Sequence, residues 1–307
     1  MGTGGLLVTR VAPADADVIG ILTYNVWFNE ECQVEARMAA VGDVILRHRP
    51  HVVLFQEVTP RIYSLLSSAR WCRDLGFVCS LTEAEATRPY FSMLVTRLPC
   101  RAVRHEPFAE TSMDRELVTA VVETGGDGPL LTVATAHLES PMSFQRPYIG
   151  PRNTQAREVF EKLGSLPNCV FGGDMNWNER RDGRVPLPPL WFDAWLVLHP
   201  IEKYLKPGYT YDGRTNGMIG GALQGRLDRF WCRLQDFDAE SIEMVGTEPI
   251  PGLRCDREFR NGDGFRRVSL PVFPSDHYGL LIRIRRKRNG SGGERQEENP
   301  GKDIVLI

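Results

Sequence analysis

The chain has 307 residues, of which 42% are hydrophobic and 25% are charged, and its formal net charge is −2. This composition is typical of a globular protein with a substantial core, and the charge excludes a general attraction to nucleic acid. No apolar stretch approaches the roughly 20 residues of a membrane span, and MGTGGLLVTR lacks the apolar segment of a secretory signal. The seven cysteines, an odd number without metal-ligand spacing, argue against a disulfide framework and a zinc site. We therefore expect an intracellular protein without a membrane partner.

Strands and helices alternate in the first half of the chain. Helical spacing of apolar residues predicts a helix over Gln33–Arg47, and Arg61–Ser68 is predicted as a second helix. The turn sequence GGDG joins the last two predicted strands, and the middle section predicts an antiparallel meander. The strands predicted here are Val18–Tyr24, Val52–Phe55, Phe77–Leu81, Phe91–Thr96, Leu117–Glu123 and Leu130–Ala136.

The second half begins with a predicted helix after Pro151 that ends at Gly164. The stretch Arg180–Pro189 is rich in charge, Gly and Pro and predicts a surface loop. Trp191–Leu198 is a compact aromatic segment whose type the sequence leaves open. Further strands are predicted at Asn168–Phe171, Arg226–Cys232, Ser241–Val245 and Tyr278–Ile284.

The chain divides into three parts. Residues 1–17 are expected to be a short flexible N-terminus, residues 18–286 a single domain, and residues 287–307 a disordered tail, because the tail is polar and has few apolar residues. Mixed strands interleaved with helices predict a layered α/β fold with two sheets and helices outside. Ligands of such folds bind at the loop end of the sheet.

Polar residues stand where apolar strands give way to loops. The local sequences are ILTYN, VVLFQE, LLTVATAHLES, VFGGDMN and PSDHYGLLI. A carboxylate or imidazole that closes a buried strand is costly to bury, so five such endings indicate one shared site. The residues are Asn25, Glu57, His137, Asp174, Asn176, Asp276 and His277.

The chemistry of this set indicates a hard metal ion beside a phosphoryl group. Glu57, Asp174 and the carboxamide of Asn25 offer the oxygen ligands that Mg²⁺ or Mn²⁺ prefers. His137 and His277 can donate hydrogen bonds to phosphoryl oxygens. Asp174 and Asn176, two positions apart, would share one face if the chain were extended, so that one could activate water while the other positions it. Asp276 is expected to act from a loop.

Four ordered motifs carry a family resemblance. TYN, FQE, GDMN and SDH, between about Gly20 and Ile284, resemble the motifs of the endonuclease/exonuclease/phosphatase superfamily. AHLES, FDAW, YTYD, RLDRFWCR and FPSDHYGLL are similar to its tyrosyl-DNA phosphodiesterase 2 branch. The resemblance implies a four-layer sandwich of two mixed central β-sheets flanked by helices. It also implies an Mg²⁺-dependent phosphodiesterase, with Mn²⁺ as a substitute, that hydrolyses the bond between a tyrosine and a DNA 5′-phosphate left by topoisomerase 2.

The resemblance implies a role for each residue of the set. Glu57 would carry the metal ion, with Asn25 and Asp174 as further ligands. Asp174 would also deprotonate the attacking water, and Asp276 would support His277. The implied catalytic residues are Asn25, His137, Asp174, Asn176, Asp276 and His277. The residues implied to line the substrate groove are Tyr90, Arg115, Ser140, Tyr211 and Asp228, the last as a buried aspartate that positions an aromatic residue.

Three positions depart from the pattern of that branch. Met142 and Asn178 stand where its members have arginines, and Tyr211 stands where they have Trp. The first two changes remove cations that would grip phosphate, whereas the third keeps an aromatic face. The candidates for a local basic surface are Arg180, Arg181 and Arg184, then Arg226, Arg229 and Arg233. Of these, Arg180 or Arg181 could compensate for the missing arginines.

The implied partner is a DNA 5′ end that carries a tyrosyl or peptide adduct, bound by a monomer without an obligate protein partner. RRKR near the C-terminus favours the nucleus over the cytoplasm, although a basic tail is commonly a solvated terminus. Other branches of the superfamily leave an alternative open, in which the substrate is RNA, abasic DNA, sphingomyelin or an inositol phosphate. A scaffold built on an inactive nuclease is a further alternative, and it predicts erosion of the polar set, of which none is lost.

Overall fold

The structure is a computed structural model and describes residues 17–141, 148–201, 207–261 and 264–288. The N-terminus before residue 17, Met142 and the tail after residue 288 lie outside the described residues, so the expectations made for them remain predictions.

Two six-stranded sheets contain most of the strands of the described residues. The first has the strand order β13–β16–β1–β2–β4–β3. The second has the order β5–β6–β7–β8–β12–β9. Strands of the first sheet are β1 Val18–Asn25, β2 Val52–Val58, β3 Val78–Cys79, β4 Phe91–Thr96, β13 Phe237–Val245 and β16 Gly279–Arg286. Strands of the second are β5 Cys100–Pro107, β6 Glu116–Val122, β7 Leu131–His137, β8 Asn168–Asp174, β9 Phe192–Asp193 and β12 Asp228–Leu234.

Both sheets are mixed. In the first, β1 runs parallel to β2 and antiparallel to β16, and in the second, β7 runs parallel to β8 while β12 runs antiparallel to it. Two separate hairpins complete the strands, namely β10 Tyr211–Asp212 with β11 Gln224–Gly225, and β14 Arg254–Asn261 with β15 Gly264–Pro271.

The sheets pack face to face with helices outside, so the layered α/β prediction is confirmed. Alternation along β1 illustrates the packing, because Ile19 and Ile21 join the core between the sheets, whereas Leu22 and Tyr24 face the helical layer. The helices of the described residues are α1 Val34–His48, α2 Pro60–Ser67, α3 Arg70–Asp74, α4 Ile149–Leu163, α5 Glu179–Asp182 and α6 Ala194–Leu198. The first three cover the first sheet, and α4 covers the second.

Several element predictions need correction. The middle section is not one meander, because β4 pairs with β2 and β3 in the first sheet whereas β5, β6 and β7 form a meander in the second. The strand predicted at Phe77–Leu81 is only two residues long, and the predicted loop Arg180–Pro189 begins inside α5. The strand β5 and the hairpin β14–β15 were not predicted, because their charged sequences lack the apolar runs that mark buried strands.

All seven cysteines are free thiols in the structure. Among the described residues, the search for a membrane-spanning helix finds none of sufficient length and apolarity.

His51, at the start of β2, makes stability depend on pH. Its Nδ1 accepts a hydrogen bond from the Gly20 N–H at 3.0 Å, and burial, helped by the Arg97 charge, lowers the pKa of His51 to about 4. A histidine whose pKa is lower in the folded protein than in the unfolded chain stabilises the fold at pH values above its unfolded-state pKa. This contribution is lost as the pH falls. Between about pH 7 and pH 4, the free energy of unfolding of the wild type should therefore fall by about 2 kcal/mol more than that of His51→Gln. Urea denaturation across this range measures both, and parallel profiles would contradict the prediction.

Candidate active site

Three neighbouring strands of the second sheet bring polar side chains to one end. His137 closes β7, Asp174 closes β8, and Asp228 opens β12. The registers pair His137 with Asp174 across the parallel strands and Asp228 with Asp174 across the antiparallel strands. The predicted gathering of His137 and Asp174 is therefore a direct consequence of strand register.

The first sheet contributes Asn25 and Glu57 to the same place. Asn25 closes β1 and pairs with Gln56 of β2, and the register of β2 against β4 shifts between Phe55 and Val58. Glu57 lies in this bulge with a φ of 60°, a left-handed conformation that costs a non-glycine residue of the order of 1 kcal/mol. The bulge turns Glu57 toward Asn25 instead of into the helical layer that Val53 and Phe55 face.

Gln56 ties the two sheets together beneath the site. Its side-chain amide donates to the hydroxyls of Thr23 in the first sheet and Thr135 in the second, at 3.1 and 2.9 Å. Gly172 and Gly173, the two residues before Asp174, let neighbouring groups approach the β8 backbone closely. A Cβ on Gly172 would lie 2.3 Å from the Phe230 ring, and a Cβ on Gly173 would lie 2.1 Å from a carbonyl oxygen. Gln56 therefore has a structural role, whereas its neighbour Glu57 belongs to the site.

Asn25 bridges the two carboxylates. Its amide nitrogen lies 3.1 Å from Glu57 Oε1 and 3.0 Å from Asp174 Oδ2, while its oxygen accepts the Trp27 N–H at 3.0 Å. The expectation that Asn25 offers an oxygen to a metal ion is therefore not met in this structure, because that oxygen is turned away. Asn25 instead orients Glu57 and Asp174.

Negative charge is concentrated around Glu57. Its Oε2 accepts the Phe28 N–H at 3.0 Å. Burial and the neighbouring Asp276 carboxylate raise the pKa of Glu57 to about 7. Repulsion between these carboxylates disfavours their ionisation together unless a cation lies between them.

His277 is held by Asp228. Its Nδ1 donates to Asp228 Oδ2 at 2.8 Å, and its Nε2 lies 3.8 Å from Asp174 Oδ2. Although burial opposes the charged form, Asp228 and Asp174 raise the pKa of His277 well above its usual range, so the ring is an imidazolium. Asp276 lies in the loop as predicted and accepts a hydrogen bond from the Ser275 hydroxyl. Its charge also contributes to raising the pKa of His277, but the hydrogen bond to the ring comes from Asp228.

His137 is neutral, and its hydrogen bonds determine its tautomer. Arg115 Nη1 lies 2.8 Å from His137 Nδ1, and because a guanidinium only donates, Nδ1 carries no proton. The proton is therefore on Nε2, which lies 3.0 Å from Ser140 Oγ and 3.4 Å from Asp174 Oδ2. Burial and the Arg115 charge hold the pKa of His137 well below its usual range.

Asp174 receives hydrogen bonds on both oxygens. Its Oδ1 accepts the Asn176 N–H at 2.9 Å, and its Oδ2 accepts the Asn25 amide. Burial alone would raise the pKa of Asp174, but His137 and His277 hold it below its usual value, so the carboxylate is ionised. The expected extended arrangement of Asp174 and Asn176 is wrong, because Asn176 has a φ of 47°.

Hydrogen-bond donors converge on Ser140 Oγ. Arg115 Nη2 and Asn176 Nδ2 reach it at 2.9 and 3.0 Å, and His137 Nε2 lies at 3.0 Å. A hydroxyl has two lone pairs, so three N–H donors exceed what it accepts. The N–H donor that Ser140 Oγ does not accept is able to donate to an anionic oxygen placed next to the hydroxyl.

Aromatic rings flank the polar centre. Tyr90 stacks on Phe28 with ring centroids 5.4 Å apart, and the Arg115 guanidinium lies 5.2 Å from the Tyr90 ring. Tyr211 lies on another side, with its ring 5.0 Å from that of His277. Asp228 hydrogen-bonds the His277 ring, and that ring in turn lies against Tyr211.

The donor set fits a hard divalent cation on the Glu57 side. Asp174, Asp228 and His277 also form a cluster of possible metal ligands. However, a protonated imidazole has no lone pair for a metal ion, so we assign that trio to proton and phosphate chemistry. Glu57 offers carboxylate oxygens in a region of excess negative charge, and such oxygens suit Mg²⁺ or Mn²⁺.

Two of the six arginines predicted to form a basic surface do not lie on it. Arg226 and Arg229 are buried, and they pair with the buried Asp193 and the exposed Glu179. Arg233 donates to the Gly164 carbonyl. The other candidates, Arg180, Arg181 and Arg184, are exposed.

Sequence reasoning missed residues that hold the site loops. Ser275 donates to the Asn25 carbonyl at 2.7 Å and accepts the His277 N–H, and Thr210 accepts the Asp228 N–H at 3.0 Å. Arg37 of α1 is fully buried, and its guanidinium binds only backbone carbonyls in the hydrogen bonds of the described residues. An arginine at apolar helical spacing, three residues after Val34, was the available signal. The carbonyls belong to Val26, Trp27, Asn29, Cys32 and Pro274.

Comparisons with known proteins identify the family of the chain. A model of the endonuclease/exonuclease/phosphatase family matches residues 22–277. The chain is 27% identical over 281 residues to a tyrosyl-DNA phosphodiesterase 2 from Rattus norvegicus, covering 88% of this chain and 68% of that protein. For the Homo sapiens protein of the same name the identity is 26% over 292 residues, covering 90% and 72%. A D. rerio TDP2 complexed with single strand DNA product superposes with a TM-score of 0.70 at 22% identity, covering 87% of this chain and 98% of that one.

Loss of Arg37 should destabilise the protein more than loss of a surface arginine. In Arg37→Met, buried carbonyls lose their donors, so the free energy of unfolding should fall by about 3 kcal/mol. Arg61→Met, at a half-exposed arginine of α2, is the matched control and should change it by less than about 1 kcal/mol. Urea denaturation measures both variants. Equal effects would show that the carbonyl contacts contribute little.

Proposed function

Because this chain belongs to the endonuclease/exonuclease/phosphatase family, we propose that it is a metal-dependent phosphodiesterase that hydrolyses 5′-tyrosyl-DNA bonds. One observation carries the proposal. The ionised, buried Asp174 carboxylate lies between an imidazolium and a neutral imidazole, beside the Asn25–Glu57 pair. This arrangement places a proton acceptor, hydrogen-bond donors for a phosphate and a carboxylate for a cation next to one another.

The names of the relatives support the choice of substrate. Curated proteins that match most of this chain are named tyrosyl-DNA phosphodiesterase 2, which favours this reaction over a lipid, an inositol phosphate or an RNA substrate. The chain spans about two thirds of the length of those relatives. DNA with a tyrosyl or peptide adduct on its 5′ end is the proposed partner.

Glu57 is the proposed residue for Mg²⁺, with Mn²⁺ as a substitute, and Asp174 is the second carboxylate within reach of the same Asn25 amide. When bound there, the cation supplies Lewis-acid polarisation of a phosphoryl oxygen. Asn25 keeps the two carboxylates oriented for this purpose. The bulge in β2 that turns Glu57 toward Asn25 is consistent with this assignment.

Asp174 is the proposed general base. The water oxygen bonds to phosphorus while Asp174 takes its proton, and the bond between phosphorus and the tyrosine oxygen breaks. The tyrosine leaves as a phenolate that takes a proton from solvent, and the DNA keeps a 5′-phosphate. No serine, cysteine or lysine nucleophile takes part, so the reaction is a single displacement.

The two histidines act on the phosphoryl oxygens. The His277 imidazolium donates from Nε2, since Asp228 holds its Nδ1, and the neutral His137 donates from Nε2, since Arg115 holds its Nδ1. These hydrogen bonds strengthen as charge accumulates on the oxygens. Tyr90 is proposed to line the groove beside them, as is Tyr211.

The substrate choice is tested with the full chain and four substrates. A 5′-tyrosylated oligonucleotide, a 3′-tyrosylated one, an abasic duplex and sphingomyelin are each incubated with Mg²⁺ or EDTA. Turnover of the 5′ adduct with Mg²⁺ alone is the expected result. Turnover of the lipid or the abasic duplex without the 5′ adduct would overturn the proposal.

Glu57→Gln should remove metal-dependent turnover. The amide keeps the size of the side chain but loses the charge that holds the cation, so kcat should fall at least about a hundredfold. Glu83→Gln, at an exposed glutamate away from the site, is the matched control and should keep wild-type rates. Thermal unfolding of both variants checks the fold. Near-normal activity of Glu57→Gln would refute the metal assignment.

His277→Ala should lower kcat far more than it raises KM, because its hydrogen bond strengthens mainly in the transition state. A fall in kcat of about a hundredfold or more is expected. Asp228→Asn keeps the ring but removes the charge that favours the imidazolium, so its kcat should lie between those of wild type and His277→Ala. Steady-state kinetics on the 5′-tyrosyl substrate measures all three. A change in KM alone would place His277 in substrate binding only.

A further inference from the structure

The glutamate of the sequence AHLES takes no part in the reaction proposed above, yet its side chain is fully buried. Glu139 lies two residues after the end of β7. Its carboxylate accepts hydrogen bonds from the Thr111 hydroxyl at 3.0 Å, the Ser112 N–H at 2.8 Å and the Gln155 amide at 2.9 Å. None of these three donors carries a charge. Burial of a carboxylate among neutral donors is costly, and such costly arrangements are found mainly at functional sites.

The contacts of Glu139 hold a loop that leads into the active site. Residues 111–115, hereafter the 111–115 loop, lie between β5 and β6 and end at Arg115. Gln155 of α4 is also fully buried, and its oxygen accepts the Glu139 N–H at 2.8 Å. The Gln155 amide also donates to the Glu110 carbonyl at 2.9 Å. Glu139 and Gln155 therefore fix the start of the loop against β7 and α4.

The Thr111 hydroxyl connects Glu139 to the end of the loop. It accepts the Met113 N–H at 3.2 Å and the Arg115 N–H at 2.9 Å. A hydroxyl has two lone pairs and one proton, so the two N–H groups leave only the proton, which points at Glu139. Asp114, between the two N–H groups, has a φ of 53°, a left-handed conformation that persists only when its surroundings determine it. The path of the backbone to Arg115 thus depends on the acceptor that Glu139 offers to Thr111.

Arg115 is the residue of this loop that reaches the reacting groups. It is almost fully buried, its Nη1 lies 2.8 Å from His137 Nδ1, and its Nη2 donates to Ser140 Oγ at 2.9 Å. The hydrogen bond from Nη1 keeps the His137 proton on Nε2. Without it, a neutral imidazole is free to carry its proton on either nitrogen. The placement of Arg115 therefore decides which nitrogen of His137 donates to a phosphoryl oxygen.

We propose that Glu139 is a positioning residue that, through Thr111, holds Arg115 against His137 and so keeps the His137 proton on Nε2. The inference rests on the proposed function and adds to it a residue that touches no reacting group. A role of Glu139 in folding alone would lower stability without coupling Glu139 to Arg115 in catalysis.

The first test is Glu139→Gln in the full chain. Ser112 donates to one carboxylate oxygen and Gln155 to the other, so the new amide places its NH₂ group opposite a donor whichever way it is turned. With Mg²⁺ and a 5′-tyrosylated oligonucleotide, kcat should fall about tenfold, and KM should stay within about twofold of wild type. Glu158→Gln is the matched control. Glu158 accepts the Ala109 N–H just before the loop, an amide oxygen still accepts it, and kcat should be unchanged.

The coupling to Arg115 separates positioning from folding. In an Arg115→Met background, Glu139→Gln should change kcat by less than about twofold, because the guanidinium that Glu139 positions is already absent. Thr111→Val, which removes the hydroxyl, should reproduce the loss of kcat, whereas Thr111→Ser, which keeps it, should retain most of the wild-type kcat. An equal tenfold loss in both backgrounds would show that Glu139 does not act through Arg115 and would overturn the inference.

The tautomer of His137 gives a readout that does not depend on turnover. Long-range proton–nitrogen NMR spectra at one neutral pH distinguish protonated from unprotonated imidazole nitrogens, and His137→Gln identifies the His137 signals among those of the six histidines. The wild type should show an unprotonated Nδ1, and Glu139→Gln should show the proton shared between Nδ1 and Nε2. Unchanged His137 signals in Glu139→Gln would contradict the positioning role.

The two readouts also separate this inference from the proposed function. Failure of the wild type to hydrolyse the 5′-tyrosyl substrate, with the tautomer change present, would overturn the proposed function and leave the positioning role standing. Thermal unfolding of each variant checks the fold. If Glu139→Gln does not fold, Thr111→Val carries both measurements, and a wild-type kcat with wild-type His137 signals in that variant would overturn the inference.

Discussion

Burial of the Asp174 carboxylate is the constraint on which the site depends. A buried carboxylate is costly unless it is paired and hydrogen-bonded, and here both oxygens accept hydrogen bonds while two imidazoles lie within 4 Å. These partners come from the ends of strands in both sheets, so the charge is stable only when the sheets are packed in register. The packing of the two sheets and the stability of the charged Asp174 therefore depend on each other. The link that Gln56 makes between Thr23 and Thr135 lies directly beneath Asp174.

Backbone strain is concentrated where this convergence requires it. Trp27, Glu57 and Asn176 all adopt positive φ, and each lies within two residues of a strand end at the site. Such conformations persist only when the surroundings determine them. Arg37 determines the conformation at Trp27, because its buried guanidinium donates hydrogen bonds to the carbonyls of the loop after β1. It also donates to the Pro274 carbonyl near His277. Arg37 has no carboxylate partner in these contacts, so it stabilises the loops by interacting with the dipoles of their backbone carbonyls.

The sequence identified the members of the site but not their pairing. Polar strand ends were visible because they interrupt apolar runs, and the structure brings them together at one end of the two sheets. The partner of His277 depends on the antiparallel register of β12 against β8, which spans 54 residues of chain from Asp174 to Asp228 and leaves no local signal. The layered fold followed from the alternation of elements. The charged strands β5, β14 and β15 did not, because an edge or isolated strand has no buried face to mark it.

The distribution of arginines shows where positive charge is offset in a chain of net charge −2. Arg152, Arg226 and Arg229 are buried in ion pairs with aspartate or glutamate, and their charge is neutralised inside the domain. Such pairs contribute little to the field outside, since the two charges cancel over a short distance. Arg115, by contrast, hydrogen-bonds a neutral imidazole and a serine hydroxyl. Because neither of these partners carries a negative charge, they do not offset the positive charge of Arg115, which lies directly beside His137.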